Sequence, residues 1–326
     1  MKTIIMGLLA GTMALAAMPS AFAADALTLQ LKWVTQAQFA GYLVAKEKGF
    51  YDEENIDLTI LPGGPNIAPE QVIAGGGADI IVTWMAAGLA ARDTGVPLVN
   101  IAQPFKRSGL MMICPKEKEI NTVADFPGHT LGVWFFGNEY PFFAWMNKEG
   151  IKTDGSPEGV TVLQQSFDIQ PMIQGQADCI SVMSYNEYGQ ALDAGYGPDN
   201  LTIFNYTEMG NDLLEDGLYV MEDTLADPAK VDAYTRFVRA SMKGWDYALK
   251  NPEEAAEIVV EMDETGAAEL AHQLYMVGEV SKLVDANDAA LDMTTYDRTV
   301  KALLDQKIIK AQPEGAYSTA VTDALK

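Results

Sequence analysis

One segment of the chain is written twice. Residues 170–192 read QPMIQGQADCISVMSYNEYGQAL, and about a hundred residues earlier residues 70–92 read EQVIAGGGADIIVTWMAAGLAAR. Each copy has an isoleucine, a glycine turn, Ala-Asp, an apolar run short enough for a buried strand, and then a helix-length stretch. The pattern predicts strands over residues 79–83 and 178–182, each between helices. Such strands belong to an α/β architecture, and in open sheets of that class ligands sit beyond the carboxyl ends of the strands. At those ends stand Thr83-Trp84 in one copy and Ser184-Tyr185-Asn186-Glu187-Tyr188 in the other. Two similar halves with such tips predict two lobes and one cleft between them.

The punctuation around the repeat extends the same alternation. Strands are expected over residues 27–31, 56–61 and 98–102, with helices over 39–48, 67–74 and 86–93 stopped by glycines or broken by Pro62-Gly63-Gly64-Pro65. A mainly parallel sheet follows. Residues 110–114 predict a crossover, after which strands at 130–134, 160–163 and 201–204 and a helix at 140–148 repeat the order. Residues 217–221 predict the crossing back. From Asp227 the pattern is helical only: Val231, Tyr234, Val238, Met242, Trp245 and Leu249 form a stripe for packing on a lobe. The expected organisation is a targeting segment over 1–23, a first lobe from 24–109 with 216–326, and a second lobe over 110–215.

The targeting segment rests on Lys2, an apolar stretch from Ile4 to Met18, and Ala21-Phe22-Ala23 as an A-x-A cleavage site. It predicts a periplasmic protein. The formal net charge of −23 over 326 residues excludes a basic face for nucleic acid. There are two cysteines, Cys114 and Cys179, each in a strand-like run. An oxidising compartment permits a bridge, yet isolated buried cysteine is a common state, and two free thiols are the expectation. The two histidines, His129 and His272, lie in unrelated contexts, so no metal site is expected.

Four strand-end loops carry candidate binding chemistry. The first offers Trp33 and Gln38 ahead of a helix. The second offers Gly63, Gly64 and Asn66, where backbone amides are approachable, although a glycine pair serves equally well as a plain turn. Trp84 stands at the third, in the first copy of the repeat. The fourth, Phe136, Asn138, Glu139 and Tyr140, opens the second lobe's first helix, and Glu139 there also suits a helix-dipole cap. Tyr185, Asn186 and Glu187 at the second copy complete the set. Aromatic walls with a few amide and carboxylate anchors hold a flat polar heterocycle. Paired carboxylates also serve acid–base catalysis, but no nucleophile–base pair or cofactor fingerprint accompanies these.

The segments LKWVTQAQFAGYLVAKEKGFYDEENIDLTILPGG, ADIIVTW, GNEYPFFAWM, QADCISVMSYNEY and RASMKGWDYALKNPEEA resemble the substrate-binding proteins of ABC importers. The Gln38-Phe39-Ala40-Gly41-Tyr42 helix is similar to a narrower group related to thiamine-pyrimidine precursor binding and synthesis, with sulfonate, taurine and nitrate binders as cousins. The resemblance implies a type II periplasmic-binding-protein fold, two Rossmann-like lobes closing on a small-molecule ligand. It implies permease subunits of the inner membrane as partners, a monomer, and no cofactor. It also implies Trp33 as the ring stacked on the ligand and Glu187 as the acid holding an aminopyrimidine. Riboflavin-like, sulfonate, taurine or nitrate ligands are the alternatives. An enzymatic branch of the family consumes its own histidine and uses pyridoxal phosphate; its cysteine-rich motif is not present here.

Overall fold

The computed structural model describes residues 23–326; the expected targeting segment lies outside them except for Ala23. Strand β1 (Asp25–Gln30) leads through a 3-10 turn at Ala37–Phe39 into α1 (Ala40–Glu47) and α2 (Phe50–Glu53). Then come β2 (Ile56–Leu61), α3 (Pro69–Ala74), β3 (Ile80–Thr83), α4 (Met85–Asp93) and β4 (Leu98–Ala102). Strand β5 (Leu110–Pro115) crosses to the second lobe, which continues with β6 (Thr130–Val133), α5 (Tyr140–Lys148), β7 (Thr161–Gln164) and α6 (Gln170–Ile173). Strand β8 (Cys179–Met183), α7 (Glu187–Asp193) and β9 (Leu201–Asn205) complete it. Strand β10 (Gly217–Met221) returns to the first sheet.

The two sheets have the same plan. Their orders are β2-β1-β3-β10-β4 and β7-β6-β8-β5-β9. The two copies of the repeated segment therefore supply the central strands β3 and β8 at equivalent places. Strands β1, β2 and β3 pair in parallel, as do β6, β7 and β8. The crossing strand of each sheet, β10 or β5, runs antiparallel to both of its neighbours. The expectation of a mainly parallel sheet thus holds for the direction of four strands in each sheet, while the fifth is reversed because it arrives from the other lobe.

Both cysteines are bridged, which corrects the expectation of free thiols. Cys114 on β5 and Cys179 on β8 form a disulfide with Cα atoms 4.2 Å apart. Ile113 pairs with Ile180 in the antiparallel ladder, and the cysteines are the next pair along. Two strands separated by 65 residues in sequence are neighbours only because the crossing strand inserts beside β8.

The carboxyl-terminal helices are α8 (Pro228–Lys250), α9 (Pro252–Met262), α10 (Leu270–Val280), α11 (Met293–Asp305) and α12 (Ala320–Asp323). Helix α8 starts with Pro228 in its first turn and with Asp227 accepting from the Ala229 N–H at 2.9 Å, a satisfied amino-terminal cap. It packs on α1 at very close range: a Cβ on Gly244 would stand 2.0 Å from the Gly41 carbonyl oxygen. Trp245 fills the space beside this crossing, edge-on to Tyr42 and Phe105. Its role is core packing, as the stripe predicts.

A tryptophan-lined cleft between the lobes

Strand β1 ends one residue short of Leu31-Lys32-Trp33, and the loop after β2 fixes that exit. Gly63 donates its N–H to the Trp33 carbonyl at 2.8 Å, and a Cβ on Gly63 would lie 2.4 Å from the Leu31 carbonyl oxygen. Gly63 thus positions the Lys32–Trp33 segment. Gln30 adds a side-chain N–H to the Pro62 carbonyl at 2.9 Å. The result aims Lys32 and Trp33 into a cleft that faces the ends of β6 and β8.

The first lobe contributes Lys32, Trp33, Gln36, Gln38 and Trp84 to this cleft, and the second contributes Trp134, Asn138, Met183, Tyr185, Asn186 and Glu187. Seven residues expected from sequence are therefore brought together: Trp33, Gln38, Trp84, Asn138, Tyr185, Asn186 and Glu187. The others lie elsewhere. Gly64 and Asn66 stay on the loop before α3. Phe136 is exposed, and with Glu139 and Tyr140 it lines a separate groove that also includes Glu70 and Ile308. Glu139 is engaged locally, its Oε2 accepting from the Gly137 N–H at 2.8 Å. Burial raises its pKa above the ordinary carboxylate value.

Trp33 and Trp134 meet edge to face with ring centroids 6.1 Å apart. Trp134 is held by its Nε1–H on the Ser166 carbonyl at 2.7 Å. Reading it as the last residue of a strand hid its role. A chain of amides crosses the cleft: Asn186 Nδ2 donates to Gln36 Oε1 at 3.2 Å, Gln36 Nε2 to Gln38 Oε1 at 2.7 Å, and Gln38 Nε2 to Asp216 Oδ2 at 2.5 Å. Asp216 was also missed. It sits at the entry of the returning strand, and only the tertiary fold brings it below Gln38. His272, far away in sequence, reaches Asn186 Oδ1 at 2.8 Å.

The acids here are buried. Glu187 accepts from the Met183 N–H at 3.0 Å and from Asn186 Nδ2 at 2.8 Å. Burial nonetheless outweighs these bonds and pushes its pKa up to about 7. Burial likewise pushes Asp216 up to about 6, opposed by the Gln38 hydrogen bond. Tyr185 is raised by burial and then by the charges of Glu215 and Asp216. Glu187 can therefore act either as a carboxylate or as a neutral acid that donates one hydrogen bond and accepts others.

The sequence pattern of the family described as NMT1/THI5 like matches residues 36–255, more than half of the chain. The formylaminopyrimidine-binding protein of Halalkalibacterium halodurans is 24% identical over 246 residues, 73% of this chain and 71% of that one. The 4-amino-5-hydroxymethyl-2-methylpyrimidine phosphate synthase of Legionella pneumophila is 27% identical over 250 residues, 72% of each chain. Among solved structures, the alkanesulfonate-binding protein SsuA of Xanthomonas axonopodis pv. citri, bound to MOPS, superposes with a TM-score of 0.67 at 14% identity, covering 91% of this chain and 99% of that one. Over most of its length the chain has the type II periplasmic-binding-protein fold. Among the described residues no helix is long and apolar enough to cross a membrane.

Proposed function

The chain belongs to the NMT1/THI5-like family, and on that premise we propose that it is a periplasmic solute-binding protein. Its cargo is a thiamine pyrimidine precursor, such as a hydroxymethyl- or formylamino-pyrimidine, delivered to an ABC importer of the inner membrane. The observation that carries the reading is Glu187, a buried acid opening onto a cleft walled by Trp33, Trp84 and Trp134. An aminopyrimidine presents an amine donor beside a ring nitrogen. A carboxyl group meets both at once, whether the shared proton rests on the ring or on the acid. The tryptophans supply faces for the flat ring.

In this reading the lobes, residues 24–109 with 216–326 and residues 110–215, hinge at the crossing strands and close over the ligand. The protein is a carrier, and no cofactor takes part. The Legionella relative's name as a synthase frames the competing reading, in which added pyridoxal phosphate would give the absorbance of a lysine Schiff base.

A thermal-shift screen of the mature protein against aminopyrimidines, riboflavin, alkanesulfonates and nitrate tests the proposal. A ligand that binds only the folded state raises the unfolding midpoint. Aminopyrimidines are expected to give the largest rise. A rise with a sulfonate or nitrate and none with any pyrimidine overturns the ligand assignment.

A further inference from the structure

Among the described residues Lys32 is the one cleft-lining lysine or arginine, and the protein leaves it underused. It is 2% exposed. Its Nζ donates a single long hydrogen bond, 3.4 Å to the Phe136 carbonyl oxygen across the lobe boundary, and forms no ion pair among the described residues. The face of Trp84 lies 6.0 Å away. A lysine carries three N–H donors, and burying its charge without full hydrogen bonding is costly. Two donors thus remain for something that enters the cleft.

We propose that Lys32 selects ligands carrying an uncharged acceptor oxygen, a carbonyl or hydroxyl, on the edge of the ring that faces the first lobe. The proposal rests on the pyrimidine reading and deepens it: the second lobe holds the amino edge through Glu187, and the first lobe reads an oxygen through Lys32. The acceptor is uncharged because the cation is already shared. Asp216, bonded to Gln38, and Glu139, in the neighbouring groove, both feel the Lys32 charge, and Glu187 lines the cleft itself. A single lysine whose charge Asp216 and Glu139 already draw on is a poor sole anchor for a sulfonate, nitrate or phosphate. A neutral oxygen needs only the free N–H groups. It would gain a charge-assisted bond in a site shielded from water.

The test compares two probes by titration calorimetry. One is 4-amino-2-methylpyrimidine bearing a 5-formylaminomethyl group; the other is 4-amino-2,5-dimethylpyrimidine, which lacks the oxygen. Wild type should prefer the first by about tenfold or more, the worth of one charge-assisted hydrogen bond. Lys32→Met should cut that preference, read as the ratio of the two probes' affinities, to less than about threefold. A preference that survives in Lys32→Met, or an equal loss for both probes, overturns the proposal.

A ligand-free measurement separates this outcome from failure of the pyrimidine reading. If wild type binds neither probe, that reading falls, and the unfolding midpoint of ligand-free Lys32→Met decides the role of Lys32. A midpoint at or above wild type marks a cation kept for a ligand rather than for the fold. A clear drop shows that Lys32 serves to join the lobes through Phe136, and the proposal falls. Should Lys32→Met not fold, Lys32→Gln, which keeps a shorter donor, takes its place and should lose most of the preference.

Discussion

Asn186 Oδ1 lies 2.8 Å from His272 Nε2, joining the tip of the second lobe to helix α10. One turn further on, the Tyr275 hydroxyl donates to the Ser184 carbonyl at 2.7 Å. The same helix holds the first lobe through Gln273, whose Oε1 accepts from the Ala37 N–H at 2.8 Å. Helix α10 is therefore a clasp that grips both walls of the cleft. It shares Asn186 with the amide chain that reaches Asp216.

Closure should depend on this clasp. Saturating ligand is expected to lower the radius of gyration in solution scattering. Tyr275→Phe, which removes one lobe-to-lobe hydrogen bond, should weaken ligand affinity by about 1 kcal/mol without changing the unfolding midpoint of the free protein by more than a few degrees. An unchanged radius at proven saturation would count against hinged lobes.

Trp33 is expected to stack on the ligand while Trp134 braces it edge-on. Binding should change tryptophan fluorescence, and Trp33→Ala should lose about 1 kcal/mol of affinity or more. A folded Trp33→Ala protein with normal affinity would reduce Trp33 to a wall of the core.

Glu187→Gln keeps the shape and removes the acid. For an aminopyrimidine we expect a loss of roughly 1.5–3 kcal/mol in binding, read by calorimetry; for an anionic ligand, no loss or a gain. Unaltered pyrimidine binding would remove Glu187 from the site.

The same residue makes a stability prediction with a definite sign. Its folded pKa of about 7 lies above the ordinary 4.5, so the folded state favours the protonated acid. Its stabilising contribution is complete below about pH 4.5 and is lost as the pH rises through about 7. Measured by urea unfolding, wild type should lose on the order of 3 kcal/mol relative to Glu187→Gln between about pH 4.5 and 8. Asp216 acts in the same direction and His272, whose pKa burial lowers, in the opposite one; both cancel in the comparison. A flat difference would show that Glu187 is ionised throughout.

The disulfide closes a loop of 65 residues, and chain entropy assigns such a closure about 4 kcal/mol. Cys114→Ala with Cys179→Ala should unfold at lower denaturant by an amount in the range of about 2–5 kcal/mol. Since Cys179 starts β8 and the cleft lies beyond its other end at Met183, ligand affinity at low temperature should be unchanged. A double variant as stable as wild type would remove the bridge from the energetics of the fold.

The lobes and their central strands were legible because the repeated segment has strand, turn and helix signals of the right period. The tips of those strands supplied Trp84, Tyr185, Asn186 and Glu187 directly. Part of what stayed hidden depends on strand order. The bridge of Cys114 to Cys179, and the approach of Asp216 to Gln38, exist only because β5 and β10 enter the opposite sheets. Phe136 and Glu139 have the residue types of a binding loop, but a left-handed backbone at Phe136 (φ 60°) and Gly137 (φ 92°) turns the loop. Asn138 faces the cleft, while its neighbours line the other groove.

The seat of β10 between β3 and β4 also sets an order of assembly. All five strands of the second sheet fall within one continuous stretch, residues 110–205, so that lobe has its whole sheet as soon as this stretch has been synthesised. The first sheet has a gap at its fourth place until residues 217–221 arrive. The amino-terminal half must therefore wait for the middle of the chain to finish before it can close its own core, exposing strand edges in the meantime. The edges left open in that interval are those of β3 and β4, the two strands that β10 joins.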